Sequence, residues 1–211
     1  VSQGTGPSVA GDLGADIVLT EICDADDHYF VAQALSAVGG DLLAGLALAA
    51  AAAPQGEAQA REIENAARTQ HRSIDLDDPG QFFEDKLEHS HWQDVAERCL
   101  SCANCTLVCP TCFCTTVEDT TDLAGDVAER WLSWDSCFHA EFTHVHGGAA
   151  RESTSSRYRQ WLTHKVGTWH AQFGESGCVG CGRCIAWCPV GIDLTEELAA
   201  LKGGNRDQKN H

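Results

Sequence analysis

The 211-residue sequence predicts a mainly α chain: a helical, cysteine-rich domain over residues 80–205, preceded over 1–75 by a small α+β segment with a helical linker. Three observations carry this reading. Eleven of the twelve cysteines lie between Cys99 and Cys188. Strand-like patterning is confined to residues 16–34. Beyond residue 80, helix caps and amphipathic stretches recur with almost no strand signal.

Residues 16–22 (DIVLTEI) and 28–34 (HYFVAQA) read as two short strands joined by the turn-prone run DADD. Helical stretches over 41–53 and 56–70 follow, separated by Pro54; the second is polar and alanine-rich, a good helix former with little apolar face. Residues 71–79 form a polar connector. Asp78-Pro79 can start a new helix, with Asp as the cap and Pro in the first turn. Ser90-His-Trp-Gln93 fits a capping box, which predicts a helix from about 91 to Cys99 with Trp92, Val95 and Cys99 on one face. Residues 122–134 and 155–166 also read as helices. Asp193-x-x-Glu196 caps a last one that Gly203 can end.

Composition excludes several function classes. A net charge of -17 argues against nucleic acid, because counterion release needs basic side chains. The longest uncharged run, Leu42–Gly56, is too short to span a bilayer, and no signal peptide is visible at the N-terminus. Clustered cysteines in a chain of this size point to metal binding in a reducing cytosol rather than to a secreted disulfide framework. The sequence has no methionine, so Val1 is expected to follow processing or to begin partway through a longer chain. Arg151, Arg157, Arg159 and Lys165, opposed only by Glu152, make 151–170 locally basic: a solvated face or a docking patch for an acidic partner.

Two cysteine runs repeat each other. The first is Cys99-x2-Cys102-x2-Cys105-x3-Cys109-Pro110, the second Cys178-x2-Cys181-x2-Cys184-x3-Cys188-Pro189. This is the spacing of [4Fe–4S] ferredoxins, in which three thiolates of one loop wrap three irons and the fourth cysteine ligates the other cluster. Cys99, Cys102, Cys105 and Cys188 are therefore assigned to one cluster, and Cys178, Cys181, Cys184 and Cys109 to a second. Structural zinc also uses Cys-x2-Cys pairs, but it gives no reason for two copies of one eleven-residue pattern with its proline. Gly177, Gly180 and Gly182 suit the turns of the second loop and the approach of backbone N–H groups to sulfur. Trp187 beside Cys188 reads as packing rather than as an electron relay. The long, largely helical stretch between the runs points to a helical ferredoxin-like dicluster domain rather than a small β-rich ferredoxin.

"RCLSCANCTLVCPTCFC", "RWLSWDSC", "SRYRQWLTHK" and "GCVGCGRCIAWCPVGIDL" together resemble the iron–sulfur beta subunit of cytoplasmic [NiFe]-hydrogenases of the sulfhydrogenase type. They are equally similar to the iron–sulfur subunit of anaerobic sulfite reductase. The resemblance covers 90–200 and extends more loosely over 1–45 through "SQGTGP" and "GADIVLTEI". It implies a cytoplasmic electron-transfer subunit, itself non-catalytic. Its partners would be a catalytic oxidoreductase subunit, carrying nickel–iron or sirohaem, and a flavin- and NAD(P)-binding reductase subunit. The eight cysteines match the family's cluster ligands. The residues agree, since "GTGPSVAG" is a poor dinucleotide loop and no Cys-x-x-Cys-His is present.

Four cysteines remain. Cys23 reads as a small buried hydrophobe. Cys112, Cys114 and Cys137 could pack around the first cluster, form a redox-active thiol pair, or supply three ligands of a third metal site.

Overall fold

The structure is a computed structural model that describes residues 14–23 and 27–203. The DADD turn, for the most part, and the "SQGTGP" stretch lie outside the described residues. The chain divides into two compact units, one within 6–71 and one from Arg72 onward.

In the first unit, β1 (Ile17–Cys23) and β2 (His28–Ala34) pair antiparallel, from Ile17 opposite Ala34 to Cys23 opposite His28. Helix α1 (Ala37–Ala44) starts where the Ser36 hydroxyl accepts the Gly39 N–H. Gly39 is required there, because a Cβ would stand 2.0 Å from the Asp16 carbonyl oxygen. Helix α2 spans Ala53–Arg68. The predicted break at Pro54 is thus a start: proline fits the first turn, where its missing N–H is not needed. The predicted helix over 41–53 instead begins earlier and ends at Gly45. Ile22, Val31 and Ala58, with Tyr29 against them, form the small core. Cys23 is exposed rather than buried, since strand alternation gives the inward position to Ile22.

The second unit opens with α3 (Pro79–Asp85), whose cap Asp78 accepts the Gln81 N–H at 3.0 Å as predicted. Helix α4 (His91–Arg98) follows, but the expected capping box at Ser90 is not formed. Ser90 already has helical backbone angles, and a turn closed by Trp92 N–H on His89 O leads into the helix. Trp92 and Val95 are buried as the helical periodicity requires. Helix α5 is the short segment Asn104–Leu107.

Residues 122–134 are not helical. Strands β3 (Thr115–Thr121) and β4 (Ala128–Trp134) form an antiparallel hairpin with Thr115 opposite Trp134. Asp122 closes the turn, exchanging bonds with Val127, and Gly125 takes a positive φ of 77°. Most of both strands is exposed, so the hydrophobic alternation that normally announces a strand is absent. A second, two-residue pairing joins β5 (His144–Val145) to β6 (Gly148–Ala149). The mainly α expectation therefore holds around the cysteine loops, while the stretch between them carries two hairpins.

Helix α6 (Thr154–Leu162), capped by Ser153 on the Ser156 N–H, widens into a π-helical stretch over Thr163–Thr168 and continues as α7 (Trp169–Phe173). Gly167 in the widened turn lets α3 approach, since a Cβ would meet Phe83 Cδ2 at 2.7 Å. Helices α8 (Arg183–Ala186) and α9 (Leu194–Gly203) complete the unit. Its core contains Phe83, Trp92, Phe138, Tyr158, Trp161 and Leu201. Of the basic residues in the segment only Lys165 is buried, while Arg151, Arg157 and Arg159 are half-buried. Arg157 donates to the carbonyls of Arg151 and Glu152, and Arg159 to that of Leu87.

Candidate metal centre

The two cysteine runs fold alike. In the first, Cys99 ends α4, its N–H on Val95 O at 3.0 Å; Ser101 and Ala103 then adopt positive φ of 50° and 65°, and α5 begins. In the second, Gly180 and Gly182 take φ of 71° and 70° at the equivalent positions, and α8 begins. Leu107 N–H meets Ala103 O at 3.0 Å, as Ala186 N–H meets Gly182 O; Cys109 N–H meets Thr106 O at 3.2 Å, as Cys188 N–H meets Ile185 O. The left-handed residues turn the backbone so that three cysteines line one concave loop. Gly177 serves a different need: a Cβ there would lie 2.5 Å from Trp169 Cδ2 and 2.6 Å from the Lys165 carbonyl oxygen.

The thiols gather in two sets. Cys99 is pushed up first by burial and then by its neighbours Cys102 and Cys188, against the N–H that Ser101 donates to its sulfur at 3.4 Å. Cys105 is pushed far up by burial and by Cys99, with Cys184, Cys102 and Cys188 adding repulsion. In the other set, burial raises Cys184 to about 12, with Cys178, Cys109 and Cys181 opposing its ionisation. Cys178 is raised by burial, Cys109 and Cys181, against the N–H of Gly180 and the charge of Lys165. These influences put Cys188 near the first loop and Cys109 near the second, with Cys184 acting on Cys105 as well.

This donor set fits an iron–sulfur cluster. Thiolates crowded in a buried site repel one another and favour protonation unless a cationic centre compensates them. Cys99, Cys102, Cys105 and Cys188, together with Cys184, border one cavity whose other walls include Phe138, Tyr158 and Trp161, an apolar enclosure that limits water. The Ile192 N–H reaches Cys188 Sγ at 3.3 Å, and the Thr111 hydroxyl lies 3.3 Å from Cys109 Sγ. These are the outer contacts that tune a cluster. Thr111 in turn donates to Gly177 O at 2.6 Å, tying the tail of the first run to the head of the second. Trp187, expected to pack, is exposed beside Cys188.

The structure also brings the surplus thiols together. Cys112, Cys114 and Cys137 border one pocket with His164, Lys165 and Trp169. The base of the β3–β4 hairpin makes the meeting, with Asp135 N–H on Cys114 O at 2.9 Å. The Cys137 thiol bonds to Cys114 and lowers it to about 6, while Cys137 itself is raised by that contact and by burial. Cys112 bonds to Cys109, which falls to about 4 through that bond. Lys165 is the site residue that spacing could not reveal, because its place depends on the widened turn after α6.

Residues 98–192 match the family described as 4Fe-4S dicluster domain. The chain carries a 4Fe-4S dicluster domain. Its cofactors are two [4Fe–4S] clusters. The chain is also 40% identical over 116 residues to Sulfhydrogenase 2 subunit beta of Pyrococcus furiosus, an alignment covering 54% of this chain and 33% of that protein. The chain thus spans about a third of the length of the curated relative it matches. No solved structure matches. The dicluster match and this relative together support the resemblance to iron–sulfur hydrogenase beta subunits. No helix among the described residues is long and apolar enough to cross a membrane.

Proposed function

We propose that this chain is a cytoplasmic, non-catalytic electron-transfer subunit linking a flavin- and NAD(P)-binding subunit to a catalytic oxidoreductase subunit of hydrogenase type. The observation that carries the reading is the doubled loop, two copies of one backbone conformation that each present four cysteines. Bound clusters would supply one-electron chemistry, which lets a flavin's electron pair be passed on singly. The chain's own residues do the rest. Cys99, Cys102, Cys105 and Cys188 would hold one cluster, and Cys178, Cys181, Cys184 and Cys109 the other. Ser101, Gly180 and Ile192 offer N–H groups to sulfur, and Tyr158 and Trp161 keep water from the first site. A sirohaem-bearing sulfite reductase would use the same wiring and is the alternative partner.

A second reading draws on the contact between Cys114 and Cys137, namely thiol redox chemistry at those residues and Cys112. The test is anaerobic purification, iron and acid-labile sulfide analysis, and dithionite reduction followed by electron paramagnetic resonance. Two reducible clusters that pass electrons from a flavin donor to an artificial acceptor support the proposal. Zinc without labile sulfide would contradict it, and activity surviving cluster removal but not Cys114→Ala would favour the thiol reading.

A further inference from the structure

Lys165 is a buried cation that no carboxylate matches. Two buried carboxylates of the second unit have cationic partners: Asp193 is held by Arg72, and Glu197 by Arg98 and His91. Lys165 is only 3% exposed, and among the described residues no carboxylate lies within ion-pair distance of it. Its Nζ donates to Thr111 Oγ1 at 2.7 Å and to the Cys112 sulfur, and lies 4.2 Å from the centre of a Trp169 ring. What surrounds it is sulfur. Thr111 touches Cys109 Sγ, and the Lys165 charge acts on Cys109, Cys112, Cys114 and Cys178. The strongest influences on Cys99 are burial and the Ser101 N–H, those on Cys105 burial and other cysteines, and the cavity they border with Cys184 is walled by Phe138, Tyr158 and Trp161.

An ammonium buried without an opposing carboxylate is costly, so its anion must be found among the sulfurs around it, Cys114 and the cluster ligands Cys109 and Cys178. A cubane bound by four thiolates is a net anion and gains a further negative charge on reduction. A fixed cation at its edge therefore favours the reduced form over the oxidised one. We infer that Lys165 is the counter-charge of the cluster held by Cys178, Cys181, Cys184 and Cys109, and makes that cluster the higher-potential member of the pair. An electron entering the domain rests at the second loop. The inference depends on the ligand assignment proposed above, and it adds a direction to the wiring. Lys165 acts through the field it places on the site, and Thr111 and Trp169 position it.

The test compares the full chain with Lys165→Met, Lys165→Gln and Lys165→Arg, each assayed anaerobically for iron and labile sulfide and then titrated potentiometrically by electron paramagnetic resonance. The neutral variants are expected to lower the reduced-to-oxidised ratio of the higher-potential cluster at least tenfold at fixed potential, which is 59 mV for a one-electron couple. The other cluster stays put, and Lys165→Arg keeps both values. Loss of one cluster from both neutral variants, with Lys165→Arg keeping two, also supports the role. The inference fails if neither cluster moves, if both move equally, if only the lower-potential one moves, or if Lys165→Arg behaves like Lys165→Met. Wild-type chain lacking the iron of two clusters would instead overturn the ligand assignment beneath it.

Discussion

Ala103 and Gly182 hold the same left-handed backbone conformation, φ 65° and 70°, each four residues past the first cysteine of its run. The first run tolerates a side chain at this position, and a Cβ on Gly182 would meet nothing within 4 Å. Gly182→Ala is therefore expected to cost about 1–2 kcal/mol of backbone strain and to keep both clusters. Gly177→Ala is a different case, since its Cβ would strike Trp169 and the Lys165 carbonyl. It should lose the second cluster, leaving about half the wild-type iron per chain. Iron analysis beside thermal melts of the two variants checks the contrast.

Cys114 is lowered to about 6 by the bond from the Cys137 thiol, so it is largely thiolate at pH 7 while an ordinary cysteine is not. Alkylation of Cys114 by iodoacetamide should follow a titration near pH 6 and level off above it. Cys137→Ala removes the donor, and the alkylation midpoint should move up toward the usual range near ~8.5. Peptide mapping of the alkylated chain across pH 5–9 measures both.

Asp193 stands at the start of α9, where its Oδ1 accepts the Thr195 N–H at 2.9 Å and its other oxygen meets Arg72. Burial opposes its ionisation, but the bonds from Thr195 and Arg72 outweigh burial, and it titrates below the usual carboxylate range. The unfolded chain thus takes up this proton at higher pH than the folded one. The stabilisation is fully present above about pH 4 and is lost as pH falls through the depressed value. Asp193→Asn keeps much of the cap and loses the charge, whereas Asp193→Ala should cost about 1 kcal/mol or more, a fall of roughly 2–4 °C in Tm per kcal/mol. Melts between pH 7 and pH 3 should show the gap between wild type and Asp193→Asn closing on the acid side.

Glu197 on α9 is buried and accepts from Arg98 Nη2 at 2.8 Å and His91 Nε2 at 2.7 Å, both on α4, the helix that ends at Cys99. Glu197→Ala leaves the buried His91 ring without this acceptor and should destabilise the unit by about 1–3 kcal/mol. Because α4 presents Cys99, the first cluster should also become more labile to chelators, as iron release over time would show.

The sequence made the cysteine loops legible because their chemistry fixes both residue type and spacing, and the caps at Asp78 and Asp193 because a short side chain there has one job. The hairpin over 115–134 was hidden. Its strands are largely exposed, so Thr116, Val117, Trp131 and Leu132 show no buried and exposed alternation to read. Ser90 gave a false cap signal, because a turn from His89 already places its backbone in the helical region. Lys165 could be read only as one member of a basic segment. It is buried within the π-helical widening after Leu162, where Gly167 lies close against Phe83, a tertiary approach that local sequence does not announce.

Crossed ligation, with Cys109 serving the second loop and Cys188 the first, is the central claim, and paired substitutions test it directly. Iron and labile sulfide are measured in Cys109→Ala/Cys178→Ala and in Cys99→Ala/Cys109→Ala. Crossed ligation places both changes of the first variant in one cluster, so it should retain about four irons per chain, while the second variant disrupts both clusters and should retain almost none. The reverse result, with the first variant empty and the second holding one cluster, would show that each run closes on its own fourth cysteine and would contradict crossed ligation.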